Sequence, residues 1–169
     1  MWRSRKRPGR GVLPLPPKYV GDERCVGGPP RPALYNERMP DRSADWLTQA
    51  LRNLDQAVDS AAAGRHEWAC FAAQQAGEMA VKAAHLKLGQ EAWGHVVRRL
   101  LEELPPAAAV PTKLLDKART LDLYYIPTRY PNGHEAGPPG EHYGQLQSDE
   151  AIRYAREVVE FCRLQMAGS

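Results

Sequence analysis

The sequence predicts an all-α fold, an up-and-down bundle of four to five helices spanning about residues 40–166. Three observations carry this. Apolar residues recur at three- and four-residue spacing in several stretches, Gly or Pro punctuates nearly every stretch, and strict strand-type alternation appears nowhere. At 169 residues the chain is about one domain long. That length buries a core without help from disulfides or metal.

The first helix is expected over about residues 43–63. Trp46, Leu47, Ala50, Leu51, Leu54, Ala57, Val58 and Ala61 form one apolar stripe, with Asp41 or Ser43 to cap its first amides and Gly64 to end it. The second, about 67–88, turns back as an antiparallel hairpin partner and should bury Trp68, Phe71, Ala72, Gln75, Ala76, Met79, Ala80 and Ala83. A third, about 95–104, carries Val96, Val97, Leu100, Leu101 and Leu104 and stops at Pro105-Pro106. A fourth, about 112–124, begins at Pro111-Thr112 and turns Leu114, Leu115, Ala118, Leu121 and Tyr125 inward. The last, about 149–166, starts behind Ser148 as its cap and buries Ala151, Ile152, Ala155, Val158, Val159 and Cys162. Its other face offers Arg153–Glu157 and Arg156–Glu160 pairs. Residues 126–147, rich in Pro and Gly, read as a long loop.

Residues 1–38 hold seven prolines and five glycines with no apolar period, so this segment is expected to be disordered and residues 39–169 to form the domain. The segment carries 9 Lys/Arg against 3 Asp/Glu, whereas residues 39–169 carry 14 against 17. The basic character of the chain therefore comes from its first 38 residues and is no nucleic-acid footprint of the domain. Arg3, Arg5, Lys6, Arg7 and Arg10 leave three readings open: a weak nucleic-acid contact, a passive extension, or a segment upstream of a true start at Met39. Cys25, Cys70 and Cys162 are odd in number and too far apart for a zinc pattern, which points to reduced thiols and a cytoplasmic protein. His66, His85 and His95 are scattered and read as caps or surface positions. No apolar run is long enough to span a bilayer.

The stretch Ala72–Ala83, AAQQAGEMAVKA, resembles the "aQQAaEkalKa" signature of HEPN domains. Ala118–Pro131, ARTLDLYYIPTRYP, resembles their second signature, "LDxYYIPTRYP", and Gly94-His95 matches a weaker third feature. The sequence is thus similar to prokaryotic stand-alone members of that family over residues 43–165. The resemblance implies a helical bundle, commonly a homodimer, whose members often accompany a minimal nucleotidyltransferase in a toxin–antitoxin-like pair. Some members bind nucleotides, others cleave RNA without metal, and no cofactor is implied.

Cleavage of RNA by internal attack needs a proton acceptor and a cation for the phosphoryl oxygens, roles suited to an imidazole with its pKa of about 6.5 and to an arginine fork. Arg129 and His134 stand with four residues between them, a spacing known in HEPN RNases, where the pair repeats across a dimer. The surroundings fit less well: Pro131, Gly133 and Gly137 suggest a loop, and Ala136 stands where those enzymes carry a Tyr. The binding reading has Arg129 and Lys82 hold phosphates while Tyr124, Tyr125 or Tyr130 stacks on a base, with Gln75 as a polar contact. The plainer readings are that Arg129 pairs with Asp122 or Glu78, that Glu78–Lys82 is a surface pair, and that Gln74 or Gln75 bonds the 124–131 backbone. A dimeric scaffold that only binds a protein is the third function class. His134-Glu135 with Glu141-His142 has no metal-ligand spacing.

Overall fold

The computed structural model describes residues 41–168. The segment expected to be disordered (1–38) and Cys25 lie outside the described residues. Among the described residues there is no strand. The five helices are α1 Ser43–Ala62, α2 His66–Lys87, α3 Val97–Glu102, α4 Thr112–Asp122 and α5 Gln145–Ala167. Short 3-10 turns stand at Pro106–Ala108, Pro131–Gly133 and Pro139–Glu141.

Helix α2 is the axis of the bundle: α1 packs along it, α5 packs on it as well, and α3 and α4 also touch it. Thirteen of its 22 residues are buried, too many for one stripe. Alanines supply most of them, and their small side chains let neighbouring helices come close while keeping helix propensity high. At the crossing, a Cβ on Gly77 would meet Leu121 Cδ1 at 3.4 Å, with Val97 and Val158 just beyond. The core continues through Leu100, Leu101, Leu114, Ala118 and Ile152.

Several expectations are corrected. Trp68 lies exposed on α2, and Phe71, Gln75 and Met79 are only half-buried, while Ala69, Ala73 and Val81 are buried instead. A helix covered on several sides has no single apolar face to read. On α1, Leu51 and Val58 are exposed although they continue the apolar stripe. Val96 is exposed as well, and α3 shrinks to six residues.

The caps also differ. Asp41 Oδ1 accepts the Ser43 N–H at 2.9 Å, as its position suggested, and the Ser43 side chain together with this backbone bond lowers the Asp41 pKa. Helix α5 starts a turn earlier than Ser148, at Gln145, with Gln147 Oε1 accepting the Gly144 N–H at 3.0 Å. Ser148 is buried, its hydroxyl donating to the Gln145 carbonyl and lying 2.9 Å from His66 Nδ1. The anticipated i,i+4 pairs on α5 give way to Arg153–Glu150, Arg163–Glu160 and a Lys117–Glu157 pair from α4.

At the start of α3 the free amides are met from far away in sequence. Asp122 Oδ1 accepts the Val97 N–H at 2.6 Å and Oδ2 the Arg98 N–H at 3.2 Å. Burial raises the Asp122 pKa against the lowering by these amides. Asp122→Ala is expected to lower stability by about 1 kcal/mol, the usual cost of a lost cap, read as a lower urea midpoint with an unchanged slope.

Cys70 and Cys162 are buried and unpaired, and burial pushes both thiols up to about 12 from an ordinary 9.0. The unfolded chain therefore releases these protons first. Their contribution to stability is complete below pH 9 and is lost as pH rises toward 12. Urea melts at neutral pH and at roughly pH 10.5 should show a fall in midpoint that Cys162→Ala reduces.

Candidate functional site

One carboxylate organises the polar side of α2. Glu78 is 5% exposed, and its Oε1 accepts from Lys82 Nζ at 2.8 Å and sits 3.1 Å from His95 Nδ1. Its Oε2 accepts from Gln75 Nε2 at 3.1 Å and Gln74 Nε2 at 3.3 Å. Gln74 Nε2 also donates to the His95 carbonyl at 2.9 Å, and Gln75 Nε2 to Gln74 Oε1 at 2.7 Å. The Glu78–Lys82 pair thus forms with its expected helical spacing but is buried, not a surface pair: Lys82 is only 13% exposed. The two glutamines bond each other, Glu78 and the His95 backbone, not the 124–131 backbone.

From this network the site extends outward through aromatic rings. His95 stacks on Tyr125 at 4.7 Å with planes 15° apart. Phe71 lies 6.5 Å from Tyr125 and Trp68 6.2 Å from Phe71. The Arg129 guanidinium carbon stands 4.4 Å from the Phe71 centroid, 4.7 Å from Tyr125 and 5.2 Å from Tyr130. Its Nε and Nη2 both donate to the Tyr125 carbonyl, at 2.8 and 2.6 Å. Arg129 is therefore held by its own turn and by rings, not by Asp122 or Glu78. That placement keeps its charge free of any carboxylate partner among the described residues, with Nη1 still available to a ligand.

The turn that carries Arg129 is tight. The Arg129 N–H donates to the Ile126 carbonyl at 3.1 Å, and the buried Thr128 hydroxyl donates to the Tyr124 carbonyl at 2.5 Å. A Cβ on Gly133 would meet the Pro127 backbone at 3.0 Å, so any larger residue would have to push this close return of the chain apart by a few tenths of an ångström. The segment read as a long loop contains a succession of hydrogen-bonded turns.

The sequence-derived residues separate into three groups. Arg129, Tyr125 and Tyr130 come together at the surface. Gln75 and Lys82 stand behind them, their polar atoms engaged by Glu78 and its neighbours, with Lys82 also 5.7 Å from the Trp46 ring. Tyr124 and His134 make their contacts with other residues. Tyr124 is buried edge-on to Tyr143, and burial pushes its hydroxyl up to about 12. His134 Nε2 lies 2.8 Å from the Pro127 carbonyl, and its ring stacks on His142 at 4.0 Å with planes 2° apart.

Sequence reasoning does not single out His95, Glu78, Phe71 or Trp68 as site residues. The available signal was a Gln-Gln pair and a Glu–Lys pair on an otherwise apolar helix. His85, read as a cap or surface position, is instead buried with Nε2 2.8 Å from the Leu100 carbonyl. Among the described residues no three His, Cys, Asp or Glu side chains gather as a metal site.

Beside the Arg129 cluster an open groove of about 410 Å³ is lined by Asn53, Gln56, Arg65, Trp68, Phe71 and Gln75. Phe71 is its common wall with Arg129. The arrangement offers stacking surfaces, one positioned cation and polar edges, which together suit planar, anionic ligands.

Glu78→Ala should cost about 3 kcal/mol or more, because it strands the nearly buried Lys82 ammonium and removes the acceptor that Gln74, Gln75 and His95 share. Adding Lys82→Met to that variant is expected to recover much of the loss. Equal stabilities of the single and double variants in urea melts would refute this view of the network.

Comparison with known proteins agrees with the fold. The family model described as the HEPN domain matches residues 43–165. The solved structure of TT1696 from Thermus thermophilus is 48% identical, with a TM-score of 0.73, over 74% of this chain and 98% of that one. ST0689, described as an archaeal HEPN homologue, is 37% identical at a TM-score of 0.63, over 74% and 98% of the two chains. An HEPN domain protein from Thermotoga maritima is 28% identical at a TM-score of 0.60, over 73% and 98%. Among curated proteins nothing matches. The family model covers most of the chain, and the similar structures are matched almost end to end; the chain belongs to the HEPN domain family.

Proposed function

We propose that this HEPN protein binds single-stranded RNA or its nucleotides through the face built on Arg129, and that it does so as a homodimer. The observation that carries the reading is the placement of Arg129 among Phe71, Tyr125 and Tyr130, free of any carboxylate among the described residues. A phosphate meets the guanidinium there while bases stack on the neighbouring rings. Base–aromatic stacking is worth about 1–3 kcal/mol per base, so a few rings give useful affinity without a basic domain.

The homodimer has its support in α1, whose apolar stripe continues into exposed Leu51 and Val58. Partnership with a minimal nucleotidyltransferase, in a toxin–antitoxin-like pair, rests on the family resemblance alone. Cleavage by Arg129 and His134 has less behind it, because His134 lies against the Pro127 carbonyl and His142.

The test is fluorescence anisotropy of a short labelled oligouridylate with the full chain at low salt. Arg129→Ala is expected to weaken binding about tenfold or more, and Tyr130→Ala by several-fold. His134→Ala should leave binding unchanged. Failure of the parent protein to bind would sink the reading, as would full affinity in Arg129→Ala. Co-purification with a co-expressed minimal nucleotidyltransferase, and its absence, decide the partnership separately.

A further inference from the structure

His95 is the one member of the Glu78 network that reaches well into solvent, with 55% of its side chain exposed. Its ring is nonetheless fixed. The face rests on Tyr125, Nδ1 meets Glu78, and its own backbone carbonyl is held by Gln74 Nε2. Glu78 Oε1 already accepts from Lys82, so it acts as an acceptor toward the ring as well, and Nδ1 carries the hydrogen of that bond. In the neutral imidazole Nε2 is then an acceptor, and it has no hydrogen-bond partner among the described residues.

We propose that His95 Nε2 accepts a hydrogen bond from a ribose 2′-hydroxyl, so that the Arg129 face selects RNA over DNA. This rests on the binding reading above and names its chemical class of ligand. His95 and Arg129 each lie 4.7 Å from the same Tyr125 ring centroid, which bounds their separation to twice that distance. A phosphate on Arg129 therefore has a sugar of the same strand within reach of His95. His95 also borders a groove of about 400 Å³ that Arg99, Glu91 and Glu103 line with Trp93, whose 83% exposure makes it the least covered large apolar side chain among the described residues. Trp93 gives the next base a stacking surface. Phosphate, sugar and base thus each meet one group, and the 2′-hydroxyl is the feature that distinguishes RNA from DNA at such a site.

The experiment compares three labelled strands of equal length on the full chain: oligouridylate, oligodeoxyuridylate and 2′-O-methyl oligouridylate. The methylated strand keeps the RNA sugar pucker but has no hydroxyl to donate, so it separates shape from hydrogen bonding. Oligouridylate should bind about fivefold more tightly than either of the others, the scale of one partly exposed hydrogen bond. His95→Phe keeps a ring on Tyr125 and should bring the three affinities together at the level of the deoxy strand. Trp93→Ala should weaken all three alike, because stacking ignores the sugar.

Equal binding of the three strands by the parent protein would overturn the role of His95 while leaving the Arg129 reading intact. That role is equally overturned if His95→Phe retains the preference, or if the methylated strand binds as well as oligouridylate. Absence of binding to any strand removes both.

Discussion

The buried carboxylate of Glu78 is the interaction on which the rest of the molecule's polar side depends. Taking an ionisable group out of water costs several kcal/mol unless its lone pairs are met, and here they are met by Lys82, His95, Gln74 and Gln75. Three of those donors come from α2 itself, at spacings of three and four residues that only a helix brings together. The fourth belongs to the corner before α3. One charged group thereby joins the axis of the bundle to the chain segment at its side and fixes the ring on which Tyr125 rests.

The segment after α4 is rigid for a different reason. It lacks a regular ladder, yet its carbonyls are taken in turn: Tyr124 by Thr128, Tyr125 by Arg129, Ile126 by the Arg129 amide, and Pro127 by His134. With so many bonds closed within about ten residues, the chain has few ways to move without losing one. Arg129 is held there by two hydrogen bonds to the Tyr125 carbonyl and by the rings of Phe71, Tyr125 and Tyr130.

Electrostatics alone would not draw nucleic acid to this domain, since residues 39–169 carry more acidic than basic side chains. On the proposed reading the attraction is local, at Arg129. Arg129 is positioned without a carboxylate, while Lys82 is neutralised by Glu78, so the two cations differ in purpose. Trp68, Phe71, Tyr125 and Tyr130 supply area at low entropic cost, having few rotatable bonds. On the proposed reading, such a site would recognise the planes and phosphates of a strand more than its base sequence.

The sequence by itself determined the helical class, the order of the helices and the inward face of α5, because periodicity and Gly/Pro punctuation are local properties of the chain. It also brought out Arg129, Tyr125 and Tyr130, through the motif that contains them. The tertiary structure alone decided which residues cover which. Asp122 caps α3 from 25 residues away, a pairing with no local signature. Glu78 and Lys82 look like any exposed i,i+4 pair until α2 is seen to be covered on several sides. His95 and Trp68 are joined to Arg129 through the Tyr125 and Phe71 rings, a chain of contacts that only the fold assembles, while His134 stacks on His142. Spacing along a chain fixes neighbours one turn apart; the direction a side chain takes in a turn depends on every packed element around it.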